Sequence, residues 1–165
     1  QALSGQLATA DQFVDALGPY LQERHDAGMI RDCHGDLHSK NIFLYNDPVI
    51  FDCIEFNEQF RHIDILNEMA FFCMEVNGAW QLSRHAYQCY QAHFREGMPQ
   101  DSRSEGLFRF FKAYRANVRG KVIALKLIDK QAVNQATFDQ SLNQVQAYLA
   151  LMNDYLAGLP ADHSD

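Results

Sequence analysis

The chain has 165 residues, 47% hydrophobic and 21% charged, which is enough apolar material to bury one core and points to a single domain. A formal net charge of -7 argues against nucleic acid or an anionic membrane as partner, because counterion-release binding needs clustered cations; an acidic cleft would suit a cationic substrate. No secretory signal, transit peptide or bilayer-length apolar run is visible, so the expected address is cytoplasmic.

In chain order, Asp11 is the expected N-cap of a first helix that carries Phe13, Val14, Leu17 and Leu21 on one face and ends near Gly28. The stretch His34-Gly35-Asp36-Leu37-His38-Ser39-Lys40-Asn41 follows as a loop. The apolar runs Ile42-Phe43-Leu44 and Val49-Ile50-Phe51 flank the turn formers of Tyr45-Asn46-Asp47-Pro48 and read as a β-hairpin. A second helix is expected from Asp64 to about Val76 with Asn77-Gly78 as its stop. A third runs from about Ala79 to Arg95 with Leu82, Ala86, Tyr90 and Phe94 in phase, broken by Gly97-Met98-Pro99.

Two long helices close the chain. One spans about Ser102 to Asp129 with Leu107, Phe111, Tyr114, Val118, Val122 and Leu125 on a stripe. The other spans about Asn134 to Ala157 with Phe138, Leu142, Val145, Leu149, Met152 and Leu156, ended by Gly158 and Pro160. The expected class is α+β, mostly helical, with one domain over 1–158 and a tail or linker over 159–165. Arg109, Lys112, Arg115, Arg119, Lys121 and Lys126 read as a solvated basic helix face. Cys33, Cys53, Cys73 and Cys89 form no C-x-x-C pair and read as reduced thiols, three of them in apolar surroundings.

The chemistry concentrates in the loop and hairpin. Asp36 and Asn41 stand five apart, and with a four-residue turn Asn41 and Asp52 would sit opposite each other, roughly 5 Å apart along the strand pair. An amide and a carboxylate suit a hard cation such as magnesium (Mg2+), which takes one or two protein carboxylates beside substrate phosphates. Asp36 is placed to accept the proton of an attacking hydroxyl, as the catalytic-loop aspartate of kinases does.

The run H-G-D-x-x-x-x-N followed by a short hairpin and an aspartate resembles the aminoglycoside phosphotransferase and choline kinase relatives of protein kinases, with Gly35 in place of the kinase arginine. A longer run, from His34 through Phe51-Asp52-Cys53-Ile54-Glu55-Phe56-Asn57 to Arg61, Asp64, Glu68, Met69 and Ala70, is similar to the phosphotransferase-like half of bacterial two-part proteins whose other half is a P-loop kinase. A weaker likeness covers Ala113-Tyr114-Arg115-Ala116-Asn117-Val118-Arg119-Gly120-Lys121-Val122. The resemblance implies a kinase-like C-terminal lobe with Asp36 as catalytic base, Asn41 and Asp52 as ligands of magnesium and binders of the ATP or GTP it accompanies, and His34 as a brace of the loop. Asp64 and Glu68 match the two acids of the family's D-P-x-x-D-L-A segment, with Ile65 replacing its proline; Cys53 and Ile54 depart from D-F-G. The implied partners are a small-molecule hydroxyl substrate, an upstream lobe, and in the two-part proteins a P-loop kinase domain.

No lysine precedes Lys40, no G-x-G occurs, and 33 residues precede the motif, so the nucleotide-anchoring lobe is expected to be missing and the chain to be part of a longer protein. Two other readings stand beside phosphotransfer. A kinase-like lobe can serve as a non-catalytic scaffold, and His34, Asp36 and His38, if extended, would point to one side like the ligands of a hydrolytic metal. For Asp64 and Glu68 the expectation is a cap and a helix-face charge rather than a metal pair.

Overall fold

Helical periodicity yields helices close to where it appears, and the largest difference lies at the start of the chain. The computed structural model describes residues 2–76, 80–93, 101–129 and 134–159. Helix α1 spans Ala2–Asp26 and contains Asp11 and Pro19 in its interior. Asp11 is therefore not an N-cap: the preceding Gln, Leu and Ala residues are good helix formers, and propagation costs less than a new start. The helix stops as expected at Gly28, whose φ of +70° suits glycine, with Met29 N–H closing back on the Arg24 carbonyl at 2.9 Å.

Two small antiparallel sheets follow. Strand β1 (Ile30–Asp32) pairs with β4 (His62–Asp64) in the register Ile30 to Asp64. Strand β2 (Ile42–Leu44) pairs with β3 (Pro48–Ile50), Leu44 facing Pro48. The hairpin was legible; the first sheet was not, because three-residue strands carry too little alternation to detect.

Helices α2 (Ile65–Glu75), α3 (Trp80–His93), α4 (Ser102–Asp129) and α5 (Gln135–Ala157) complete an α+β, mostly helical chain. Asp64 caps α2, and Asn134 caps α5 by accepting from Thr137 N–H at 2.9 Å. The expected stops at Asn77-Gly78, Gly97-Met98-Pro99 and Pro160, and the packing of Phe94, lie outside the described residues. No helix among the described residues is long and apolar enough to cross a membrane.

Helix α2 is the hub. Its Ile65, Leu66, Met69 and Ala70 join Phe13, Leu17 and Tyr20 of α1 and Leu107 and Phe108 of α4 in one buried cluster. Its Phe71 and Met74 join Ala113, Ala116, Met152 and Leu156 of α4 and α5 in another. Two anticipated stripes are partly displaced, since Tyr114 and Leu125 of α4 and Phe138 and Leu142 of α5 are exposed, as are Val14 and Leu82. The face α4 buries instead includes small residues, Ala113 and Ala116, which admit close helix approach.

The basic stretch on α4 also divides. Arg115 is buried, Lys112 and Arg119 are half-buried, and Arg109, Lys121 and Lys126 are exposed, so it is not a uniformly solvated face. Lys112 lies over the rings of Phe108 and Tyr155 at 4.6 and 5.1 Å, and burial lowers its pKa. All four cysteines are free; Cys73 is buried while Cys89 is exposed, contrary to its apolar neighbourhood in sequence.

Candidate active site

The loop 33–41 is held from beneath by α2 and α4. Glu68 accepts from His34 N–H at 2.9 Å and Gly35 N–H at 3.2 Å, while Arg115 donates to the Gly35 carbonyl at 2.9 Å and to Asn67 Oδ1 at 2.7 Å. Glu68 is buried, so it is not the helix-face charge expected of it; the loop's amides, satisfied by no strand, draw a carboxylate inward. Burial raises its pKa against the opposing pull of those amides and Arg115. Gly35 has φ +82°, and a Cβ there would meet the Phe60 carbonyl oxygen at 2.8 Å, so only glycine fits.

His34 braces the loop. Its Nδ1 accepts from Asp36 N–H at 3.3 Å, so the network assigns the proton to Nε2, which donates to the Phe51 carbonyl at 2.7 Å. With both ring nitrogens occupied, His34 has no lone pair for a metal. Among the described residues no group of three or more His, Cys, Asp or Glu could hold a metal ion, and 34–38 is a loop rather than an extended strand. The hydrolytic arrangement of His34, Asp36 and His38 therefore does not form.

Asp64 has the supporting place expected at a helix start. It accepts from Leu66 N–H at 2.7 Å and takes two bonds from Arg24 at 2.6 and 2.7 Å, with both side chains buried. Burial pulls the Arg24 guanidinium down, and the bonds to Asp64 outweigh it and raise its pKa. The arginine partner, 40 residues earlier, had no signal in the sequence.

Asp36 and Asn41 come together. Asn41 is buried at the end of a 3-10 turn over Ser39–Asn41, and its Nδ2 donates to the Asp36 carbonyl at 3.1 Å. Asp52 is displaced by one position from the expectation. The hairpin turns in three residues, Tyr45-Asn46-Asp47, not four, so Phe51 faces Asn41 and donates its N–H to the Asn41 carbonyl at 3.1 Å. Asp52 lies one residue further, exposed, at φ +64°, the one left-handed non-glycine among the described residues. Aspartate tolerates that conformation better than most side chains, and such backbone concentrates at functional sites.

His38 is the partner that sequence reasoning missed. Its Nδ1 accepts from Lys40 N–H at 3.2 Å, leaving Nε2 to carry the proton, 3.4 Å from Asp36 Oδ2. Burial lowers its pKa and favours the neutral imidazole, and its ring meets Phe71 edge-on at 5.8 Å. The alternation His34, Asp36, His38 was the available clue, pointing to mutual positioning instead of metal ligation. A second unanticipated group lies nearby: Glu75 Oε1 accepts from Arg119 Nε at 3.1 Å and from Tyr148 OH at 2.7 Å.

The chain is similar to uncharacterized proteins of Mycobacterium tuberculosis and Mycobacterium bovis, 33% identical over 113 residues, which is 68% of this chain. It spans 22% of the length of these curated relatives. No family model and no solved structure matches the chain.

Proposed function

We propose that the protein containing this chain transfers the γ-phosphate of ATP or GTP to a hydroxyl of a small molecule, with magnesium, and that this segment is its kinase-like C-terminal lobe. The observation that carries the reading is the anchoring of Asn41 on the Asp36 carbonyl inside a braced loop, with Asp52 at the end of the adjoining hairpin. An amide oxygen and a carboxylate are the donor set a hard cation takes. Magnesium held by Asn41 and Asp52 would supply charge neutralisation on the nucleotide phosphates.

The chain's own groups do the rest. Asp36 is half-buried beside a neutral histidine whose N–H faces one carboxylate oxygen, leaving the other to accept the proton of an incoming alcohol. His34, Glu68 and Arg115 hold the backbone leading into Asp36, and Asn41 and the His38 amide hold its carbonyl, so orientation is prepared before the substrate arrives. The hairpin leaves Leu44, Tyr45, Val49 and Ile50 exposed, with Phe43 stacked on Phe51 at 4.5 Å, an apolar edge that suits a nucleotide base and the second lobe of a two-lobed enzyme.

The test uses the full-length protein. Asp36→Asn should abolish acceptor-dependent ADP release while magnesium-nucleotide binding, followed by titration calorimetry, survives; Asp52→Ala should remove that binding. Unchanged turnover in Asp36→Asn would overturn the base assignment, and unchanged binding in Asp52→Ala the ligand assignment.

A further inference from the structure

Helix α3 has an inward and an outward face. Ala86, Tyr87 and Tyr90 pack inward against the cluster of α1, α2 and α4, with Tyr87 stacked on Phe108 at 4.3 Å. Ser83 pins the same helix to α2 by donating its hydroxyl to the Cys73 carbonyl at 3.3 Å. The outward face carries His85, Gln88 and Cys89, all exposed. His85 and Cys89 are four apart, which on a helix sets one side chain above the other. Their tips meet in solvent, Cys89 Sγ lying 3.5 Å from His85 Nε2.

That separation is the one that two ligands of a single zinc ion adopt. Zinc stands about 2.3 Å from a thiolate sulfur and about 2.0–2.1 Å from an imidazole nitrogen, and at the tetrahedral angle those bonds place sulfur and nitrogen about 3.5 Å apart. A thiol hydrogen bridges the same gap as a weak donor, and a metal ion takes that hydrogen's place.

We propose that His85 and Cys89 form a chelating site for a thiophilic divalent cation of the zinc class, His85 binding through Nε2 and Cys89 through its thiolate. The site does not depend on phosphotransfer. Among the described residues no third His, Cys, Asp or Glu joins the pair, so water completes the shell. On binding, the S–H bond breaks, the S–Zn bond forms and the proton passes to solvent, while the imidazole gives the lone pair of Nε2 and keeps its hydrogen on Nδ1. Thiolate and imidazole select zinc over magnesium, which takes oxygen ligands. Trp80–His93 contains no Asp or Glu, so the helix offers no carboxylate in competition. Because the inward face is anchored, the backbone spacing of the two ligands is set in advance and only their rotamers remain to be fixed.

Reduced full-length protein, kept free of oxygen, is treated with iodoacetamide at increasing zinc concentration, and each cysteine is followed by peptide mass spectrometry. Saturating zinc should slow alkylation of Cys89 roughly tenfold or more and leave the half-buried Cys53 unchanged, and magnesium should protect neither. In His85→Ala the zinc concentration that half-protects Cys89 should rise roughly tenfold or more, since one of two protein ligands is gone. Cobalt provides the second readout: a sulfur-to-cobalt charge-transfer band, lost from wild type in the Cys89→Ser variant. Both side chains are exposed, so the variants should melt like wild type by circular dichroism. Alkylation of Cys89 indifferent to zinc, or protection equal in His85→Ala and wild type, would overturn the chelate.

Discussion

Removing the Glu68 carboxylate should loosen the loop 33–41 more than any single change within the loop's exposed part. Glu68→Ala strips the acceptor from His34 N–H and Gly35 N–H, bonded at 2.9 and 3.2 Å, and takes away the anion facing the buried Arg115. An orphaned buried amide costs about 1–3 kcal/mol, and breaking a buried charge arrangement from one side about 3–5 kcal/mol. These contributions overlap, so the expected loss is about 3–5 kcal/mol. For a chain of this size that lowers Tm by about 6–20 °C. Glu68→Gln keeps one oxygen for one amide and should lose about 2 kcal/mol. Urea and thermal melts followed by circular dichroism measure both, with exposed Glu105→Ala as a control expected to stay within about 0.5 kcal/mol. A loss below about 1 kcal/mol for Glu68→Ala would show that water replaces the carboxylate at no cost and that the brace is not structural.

Gly35→Ala should cost about 2 kcal/mol or more from the positive φ and the contact with the Phe60 carbonyl, and a melt indistinguishable from wild type would contradict the close approach. Asp64→Ala loses the α2 cap, worth about 1 kcal/mol, and leaves Arg24 buried without its partner, about 3–5 kcal/mol more. The double variant Arg24→Met with Asp64→Ala should be less destabilised than the two single losses added, and strict additivity in urea would argue against their coupling.

His38 gives a signed dependence on pH. It faces Asp36 and feels Glu75, Lys40 and Arg119, and burial holds its pKa below the ordinary 6.5. Below pH 6.5 the unfolded chain takes up a proton that the folded one refuses, so this contribution to stability is intact above 6.5 and is lost as pH falls. His38→Gln should flatten the fall in stability as pH drops below 6.5, and equal slopes in the two proteins would remove His38 from that account.

What could be read in advance divides along the range of the forces involved. Helices α2, α4 and α5 were legible because their caps, Asp64 and Asn134, and their apolar phase are local. The hairpin was legible from its turn formers, but its register was not: three turn residues instead of four moved Phe51 into the place expected for Asp52. Asp11 failed as a cap because local preference for helix on both sides of it outweighed one favourable residue.

By itself the sequence determined that the chain is mostly helical and that Asp36 and Asn41 share one loop ahead of a hairpin, since these follow from spacing of a few residues. Only the tertiary structure decided which charges are buried and what they hold. Arg24 meets Asp64, Glu68 holds the Gly35 amide, Arg115 caps the Gly35 carbonyl, and Tyr148 reaches Glu75 across 33 to 80 positions of chain. The physical reason is that a buried polar group must find a partner wherever the fold places one, and that demand leaves no periodic trace in the residues themselves.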